Sequence, residues 1–219
     1  MTSKNRTFAI VGAAVALILV AAGIAVVASG GGDDSSDSSV STGSGQTIEQ
    51  NRPIESTGEP LPTFEDPATD PAVGTASPVI DGQSFDGTPI TIGGASDNPS
   101  LLVFLAHWCP HCNAEVPELI KLQEAGDIPA DLDVVGISTA VAADRPNYPP
   151  SEWIVDKGWP WPTIADDAEL NAFGYFGGAG FPFLVILDAD GKVLARQSGE
   201  SSAADIKAWI DSTLATANT

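Results

Sequence analysis

Two cysteines, two histidines, one methionine and nine lysines or arginines are all that 219 residues supply of those types. Each scarcity excludes something. With no third cysteine, the chain has no separate structural disulfide to scramble. With no second cluster of cysteine or histidine, it lacks the two ligand segments that a tetrahedral zinc site normally draws on. Acidic residues number 29, and the net charge of −20 argues against nucleic acid or anionic lipid as a partner. That acidity reads as the solvated surface of an exported protein. No cysteine ends the apolar stretch near the N-terminus, which excludes a bacterial lipid anchor there. No internal repeat is visible.

What is present is concentrated in Trp108-Cys109-Pro110-His111-Cys112, which holds both cysteines two residues apart. The apolar run Leu101–Ala106 before it has the length of one buried strand. Val116, Leu119, Ile120 and Leu122 after it have helical spacing. The C-x-x-C therefore sits where a strand turns into a helix. There the free backbone N–H groups and the positive end of the macrodipole favour a thiolate at Cys109. A thiolate attacks disulfides, and Cys112, one turn on, is placed to resolve the mixed disulfide. Three duller readings fit less well. A structural staple closing so short a loop constrains the unfolded chain little. A metal site using His107, Cys109, His111 and Cys112 lacks a second segment. Haem attachment needs histidine directly after the second cysteine, where Asn113 stands.

Phe8–Ala28 carries no charge and no proline, and 21 residues at about 1.5 Å each span a bilayer core. Lys4 and Arg6 precede it and Asp33, Asp34 and Asp37 follow, so the positive-inside rule exports what comes after. Cleavage after Val26-Val27-Ala28 is the competing reading, but the apolar stretch is longer than a signal peptide needs. The expected organisation is a cytoplasmic N-terminus at 1–7, a transmembrane anchor at 8–28, a flexible acidic and proline-rich linker at 29–71, and a globular domain at 72–219. Ile48, Ile54, Leu61 and Phe64 within the linker suggest a strap laid on the domain. Outside the cytosol disulfides persist, so an enzyme that exchanges them has substrates there.

Within the domain, Pro78–Gly82 and Thr88–Ile92 read as a hairpin. Val134–Ser138 is a second buried strand and completes a parallel β-α-β unit. Pro117 interrupts the helix after the cysteines. Ser151 reads as the cap of a short helix to Lys157, and 168–173 as another ending at Gly174. Phe183–Leu187 and Lys192–Arg196 flank Asp188-Ala189-Asp190-Gly191 as a hairpin, and Ser202 caps a last helix with Ile206, Trp209, Ile210 and Leu214 on one side. Trp153, Trp159 and Trp161 read as packing a proline-rich loop against the core, and His107 as a polar residue closing its strand.

In this order and spacing the motifs resemble the thioredoxin superfamily, closest to membrane-anchored TlpA/ResA-like thiol–disulfide oxidoreductases of actinobacterial type. The match covers W-C-x-x-C at Trp108–Cys112, Pro117 five after the second cysteine, Phe181-Pro182 before a strand, and the Asp188–Lys192 turn. The resemblance implies an α/β thioredoxin fold, a central mixed sheet flanked by helices, here with an N-terminal transmembrane helix. It implies that Cys109 attacks and Cys112 resolves, and that Phe181 and a cis Pro182, with Trp108, hold the client. Thioredoxins carry a buried aspartate six residues before the first cysteine; Val103 stands there, and Glu115 matches a glutamate of ResA-like proteins that takes over proton transfer. Pro110 and His111 tune the thiolate: a protonated His111 would favour the reduced form and make the couple more oxidising. The Pro-His dipeptide is that of the oxidant DsbA, whereas the family similarity says reductant. Expected partners are thiols and disulfides of exported proteins and a membrane redox partner. No cofactor is expected, because the electrons reside in the dithiol.

Two alternatives stand beside this reading. A peroxidase of peroxiredoxin type needs threonine or serine three residues before the nucleophile, where Ala106 stands. A soft-metal chaperone on the same fold would hold Cu(I) with Cys109 and Cys112.

Overall fold

The structure, a computed structural model, describes residues 40–41 and 47–217. The expected cytoplasmic segment and membrane span at 1–28 lie outside the described residues. Among those described, no helix is long and apolar enough to cross a membrane.

In chain order, Val40–Ser41 (β1) pairs antiparallel with Thr47–Ile48 (β2). Glu55–Thr57 (β3), Val79–Gln83 (β4) and Pro89–Ile92 (β5) form a three-stranded antiparallel sheet with β4 in the middle. The expected hairpin is thus present, with a third strand added from upstream. Then come Ser100–Leu105 (β6), Pro110–Ala125 (α1), Asp133–Ser138 (β7), Pro150–Asp156 (α2), Thr163–Ala165 (β8), Asn171–Tyr175 (α3), Phe183–Leu187 (β9), Val193–Ser198 (β10) and Ala203–Ala217 (α4). The main sheet has the order β10-β9-β6-β7-β8. β6, β7 and β8 run parallel, and β9 and β10 are antiparallel neighbours on the other side. This is the mixed sheet that the thioredoxin fold implies.

β6 is central and apolar on both sides, so both faces of the sheet are covered. Leu101, Val103 and Leu105 pack with Val116 and Leu119 of α1 and Ile206 and Ile210 of α4. Leu102 and Phe104 pack with Phe183, Val185, Ile80 and Phe176 on the opposite face.

Two helix starts differ from expectation. Ser151 is not a cap: its N–H donates to Gln50 Oε1 at 3.0 Å and its hydroxyl accepts from Gln50 Nε2 at 3.0 Å, while Pro149 takes the cap position after a cis bond. α3 begins at Asn171 and contains Gly174, because buried Asp166 accepts the N–H groups of Ala172 (2.9 Å) and Phe173 (3.2 Å) and Leu170 turns left-handed. Ser202 does cap α4, its Oγ accepting the Asp205 N–H at 3.2 Å.

Residues 47–71 carry more structure than their proline and acid content suggests. Beyond β3, Leu61 and Phe64 are buried, and their N–H groups donate to the carbonyls of Tyr175 and Gly177, each at 2.8 Å. Gly177 has φ +70, and a Cβ there would meet the Pro62 carbonyl oxygen at 2.2 Å. Only glycine permits that approach. The strap is locked by Arg196 of β10, which is 1 % exposed. Its Nε donates to Asp70 Oδ2 at 2.8 Å, its Nη2 to Asp70 Oδ1 at 2.5 Å, and its Nη1 to the carbonyls of Pro62 and Phe176, each at 2.9 Å. Burial pushes the Asp70 carboxyl up, but the Arg196 donors and the Ala72 N–H outweigh it and hold the group below its ordinary value.

Breaking a buried pair from one side strands the other charge, at a cost of roughly 3–5 kcal/mol. Asp70→Ala is therefore expected to destabilise the domain by that amount, while removing Asp131, an exposed surface carboxylate, costs about 0.5 kcal/mol or less. Urea unfolding of both variants checks it.

Candidate active site

β6 ends at Leu105, and the chain turns through Ala106, His107 and Trp108 into α1. The Cys109 N–H donates to the Ala106 carbonyl at 3.0 Å, and Cys109 occupies the N-cap of α1 with Pro110 at the first helical position. Proline suits that position because the N–H it lacks would have no helical partner. Both cysteines are free. Cys109 is 6 % exposed and Cys112 is fully buried. Cys109 Sγ donates to the Phe181 carbonyl at 3.6 Å, and the Phe181–Pro182 bond is cis. The loop before β9 therefore faces the cysteines.

The two thiols sit in unlike surroundings. Burial drives the Cys112 thiol far above the ordinary range; the backbone of Ala106 opposes this, and the neighbouring Cys109 and Glu115 charges add to it. Glu115, one turn along α1 from Cys112, is itself fully buried. Its Oε2 accepts the Ser201 N–H at 2.7 Å, and its Oε1 has no hydrogen-bond partner. Burial raises this carboxyl to about 7, the Ser201 N–H opposes the shift and the Glu200 charge supports it. A carboxyl that exchanges its proton near neutrality thus lies beside a thiol that resists losing its own.

The remaining residues expected at the site are placed as follows. His111 is exposed on the first turn of α1, its Nδ1 3.0 Å from Glu200 Oε2. Trp108 is half-buried, its Nε1 donates to the Ala140 carbonyl at 2.7 Å, and its ring meets that of Phe181 edge-on at 6.1 Å. Phe181 also packs against Phe173 at 4.6 Å. Val103, where thioredoxins carry aspartate, is buried in the core with no polar role.

His107 differs from its reading as a residue that merely closes the strand. It is fully buried: Nδ1 is 2.8 Å from the Pro146 carbonyl, and Nε2 accepts the Ala142 N–H at 3.2 Å. One nitrogen donates and the other accepts, so the ring is neutral; burial lowers its pKa, and the bond to Pro146 only partly opposes that. The His107 carbonyl also accepts from Asn113 Nδ2 (3.0 Å) and Asn147 Nδ2 (2.9 Å), and Asn113 Oδ1 accepts from Trp153 Nε1 at 3.0 Å. This network fastens the loop after β7 to the start of α1. Asn147 has φ 63, and the one hint in the sequence is an asparagine lodged among prolines. Of the three tryptophans in this region, only Trp153 reaches the network. Trp159 and Trp161 pack edge-on at 4.7 Å, and a Cβ on Gly136 would press on the Trp159 ring at 3.1 Å. Among the described residues, no three or more His, Cys, Asp or Glu side chains gather as a metal ion would need.

Helix, paired cysteines and facing cis-proline loop define a protein of the thioredoxin superfamily. The Redoxin family model matches residues 56–210, and the chain belongs to that family. It is similar to the methylamine utilization protein MauD of Methylophilus methylotrophus, 30% identical over 128 residues, 58% of this chain and 56% of that protein. Mouse nucleoredoxin is 31% identical over 101 residues, 43% of this chain and 21% of that protein. The chain thus spans about half of the first and a fifth of the second. HelX, a thiol:disulfide interchange protein of Rhodobacter capsulatus, is 27% identical over 128 residues, 58% of this chain and 68% of that protein. Among solved structures, a thiol:disulfide interchange protein of Chlorobium tepidum aligns at TM-score 0.50 and 27% identity, covering 69% of this chain and 99% of its own. A DsbF homologue of Corynebacterium diphtheriae aligns at TM-score 0.54 and 22% identity with the same coverage, a likeness of fold.

The proton on Glu115 is linked to stability. The native carboxyl holds it to about pH 7, whereas the unfolded chain releases it at about pH 4.3. Between those values the native state binds more protons, so this group makes stability fall as pH rises. Glu115→Gln keeps an acceptor for Ser201 and removes that loss. The variant is expected to gain on wild type by roughly 2–3 kcal/mol between pH 4.5 and 8. Urea unfolding at the two pH values measures the difference.

Proposed function

We propose that the chain is a thiol–disulfide oxidoreductase that exchanges disulfides with exported proteins through Cys109 and Cys112. One observation carries the reading: Cys109 caps a helix with its sulfur 3.6 Å from the Phe181 carbonyl, while Cys112 is fully buried behind it with its thiol held protonated. The names of HelX and of the Chlorobium protein support the activity.

In the reducing direction, the Cys109 thiolate attacks one sulfur of a client disulfide. A Cys109–client S–S bond forms, the client S–S bond breaks, and the departing client thiolate takes a proton from solvent. Cys112 gives its proton to Glu115 and attacks Cys109. The Cys109–Cys112 S–S bond forms, the Cys109–client S–S bond breaks, and the second client sulfur leaves as a thiolate that takes a proton from solvent, Glu115 later returning its own to solvent. Two electrons pass from the dithiol to the client, and the reverse sequence oxidises a client dithiol. Trp108, Phe181 and Pro182 hold the client, the backbone of Phe181 pairing with an extended segment. Pro110 starts the helix, and His111 adds positive charge when protonated, its Nδ1 lying 3.0 Å from Glu200 Oε2. No dissociable cofactor takes part. Residues 8–28 anchor the chain, the catalytic domain lies outside the cytoplasm, and a membrane redox partner resets the pair.

Cys112→Ala is expected to trap mixed disulfides between Cys109 and clients, seen as adducts on a non-reducing gel that vanish with reductant. Cys109→Ala should yield neither adducts nor turnover. Equal trapping by both variants would reverse the assigned roles. Failure of both to trap, with stoichiometric Cu(I) binding by the reduced chain, would replace the proposal with the metal-chaperone alternative. For the anchor, the full chain should stay with the membrane through a carbonate wash; a soluble form beginning near Ser29 overturns that part.

A further inference from the structure

The five residues Ala142–Pro146 form a turn whose two ends are held by one buried side chain. His107 accepts the Ala142 N–H on Nε2 and donates from Nδ1 to the Pro146 carbonyl. The turn is closed by the Arg145 N–H donating to the Ala142 carbonyl at 3.1 Å. Arg145, next to the held end, lays its guanidinium over the Trp108 ring, 5.4 Å from the centroid. Trp108 is itself fixed through Nε1 to Ala140 and directly precedes Cys109. A buried histidine and a fixed indole thus hold one exposed cation at the mouth of the site.

Most cations of this acidic chain are already paired. Arg52, Lys121, Lys192, Arg196 and Lys207 each have a carboxylate partner. Among the described residues, Arg145 and Lys157 have none; of the two, Arg145 is the one held over Trp108 beside Cys109, and its side-chain N–H groups have no acceptor. Stacking uses the face of a guanidinium and leaves its edge, a planar fork suited to a carboxylate, free. The groove between α1 and the start of α4, about 810 Å³, is lined instead by Glu118, Glu200 and Asp205 together with His111. A carboxylate on a bound client is favoured at the Arg145 side and repelled along that groove.

We infer that Arg145 is a specificity-determining residue of the exchange site, engaging a carboxylate that neighbours the target cysteine of the client. The inference rests on the oxidoreductase reading. The reduced full chain is mixed with two disulfide-linked peptides that differ only in Glu or Gln on both sides of the cysteine, and exchange is followed under single-turnover conditions. The Glu peptide should react about two- to fivefold faster than the Gln peptide, the scale of an exposed ion pair. The ratio should fall toward one at about 0.5 M salt. Arg145→Gln should bring the ratio to one at low salt, and Arg145→Lys should restore part of it. A ratio of one in the wild type, or one that Arg145→Gln leaves intact, overturns the inference. It is equally overturned if Arg145→Gln slows both peptides by one factor while Cys109 thiolate absorbance at fixed pH drops, since the cation then acts on the protein's own sulfur. Exchange with neither peptide by the wild type overturns the oxidoreductase reading itself, a result distinct from exchange without preference.

Discussion

With Leu101 through Leu105 all buried, β6 has no face on which a polar group could sit, and chemistry is left only where the strand runs out. The helix that begins there is held down by Val116 and Leu119 against the same strand. The position of Cys109 is therefore set by packing on both sides of it, and the position of Cys112 by the helix that packing fixes. A thiol one turn into a helix docked on an apolar sheet is necessarily dry. The difference between the two sulfurs follows from the core and needs no separate device.

Removal of a proton from a dry thiol is costly, and an acceptor buried beside it is costly too, because an ionised carboxylate loses its water in the same way. Glu115 meets this with one backbone donor, the Ser201 N–H at the approach to α4. One donor offsets part of the desolvation and leaves the group able to hold or release a proton near neutrality. A second donor would have favoured the permanently charged carboxylate. The connection between β10 and α4 thereby reaches the site twice, through the Ser201 backbone and through the Glu200 carboxylate beside His111.

The parts visible in the sequence were those with a local cause. A continuous apolar run, a C-x-x-C at its end, helical spacing after it and an Asp-rich turn between two strands each report on neighbours in the chain. The parts that stayed hidden depend on partners far away in sequence. Ser151 looks like a cap until Gln50, far upstream in the chain, takes its donor and acceptor. His107 has no local pattern at all, since its two nitrogens are claimed by backbone groups 35 and 39 residues on. For residues 47–71 the apolar Leu61 and Phe64 hinted at a strap, but the guanidinium that locks it lies over a hundred residues downstream and leaves no local mark.

One outer strand of the main sheet is β10, and an outer strand ordinarily leaves a row of backbone donors and acceptors open to another chain. Here the chain ahead of β4 occupies the first part of that row. The N–H groups of Gly74 and Ser77 donate to the carbonyls of Val193 and Gly191, each at 2.8 Å, and the Val193 N–H donates to Thr75 at 3.0 Å. Ala76 lies opposite Lys192 as an antiparallel bridge. Two copies of the molecule cannot zip together through the start of β10, because that stretch is already paired from within. A second copy of the chain is thereby denied a place as an added strand along this part of the edge.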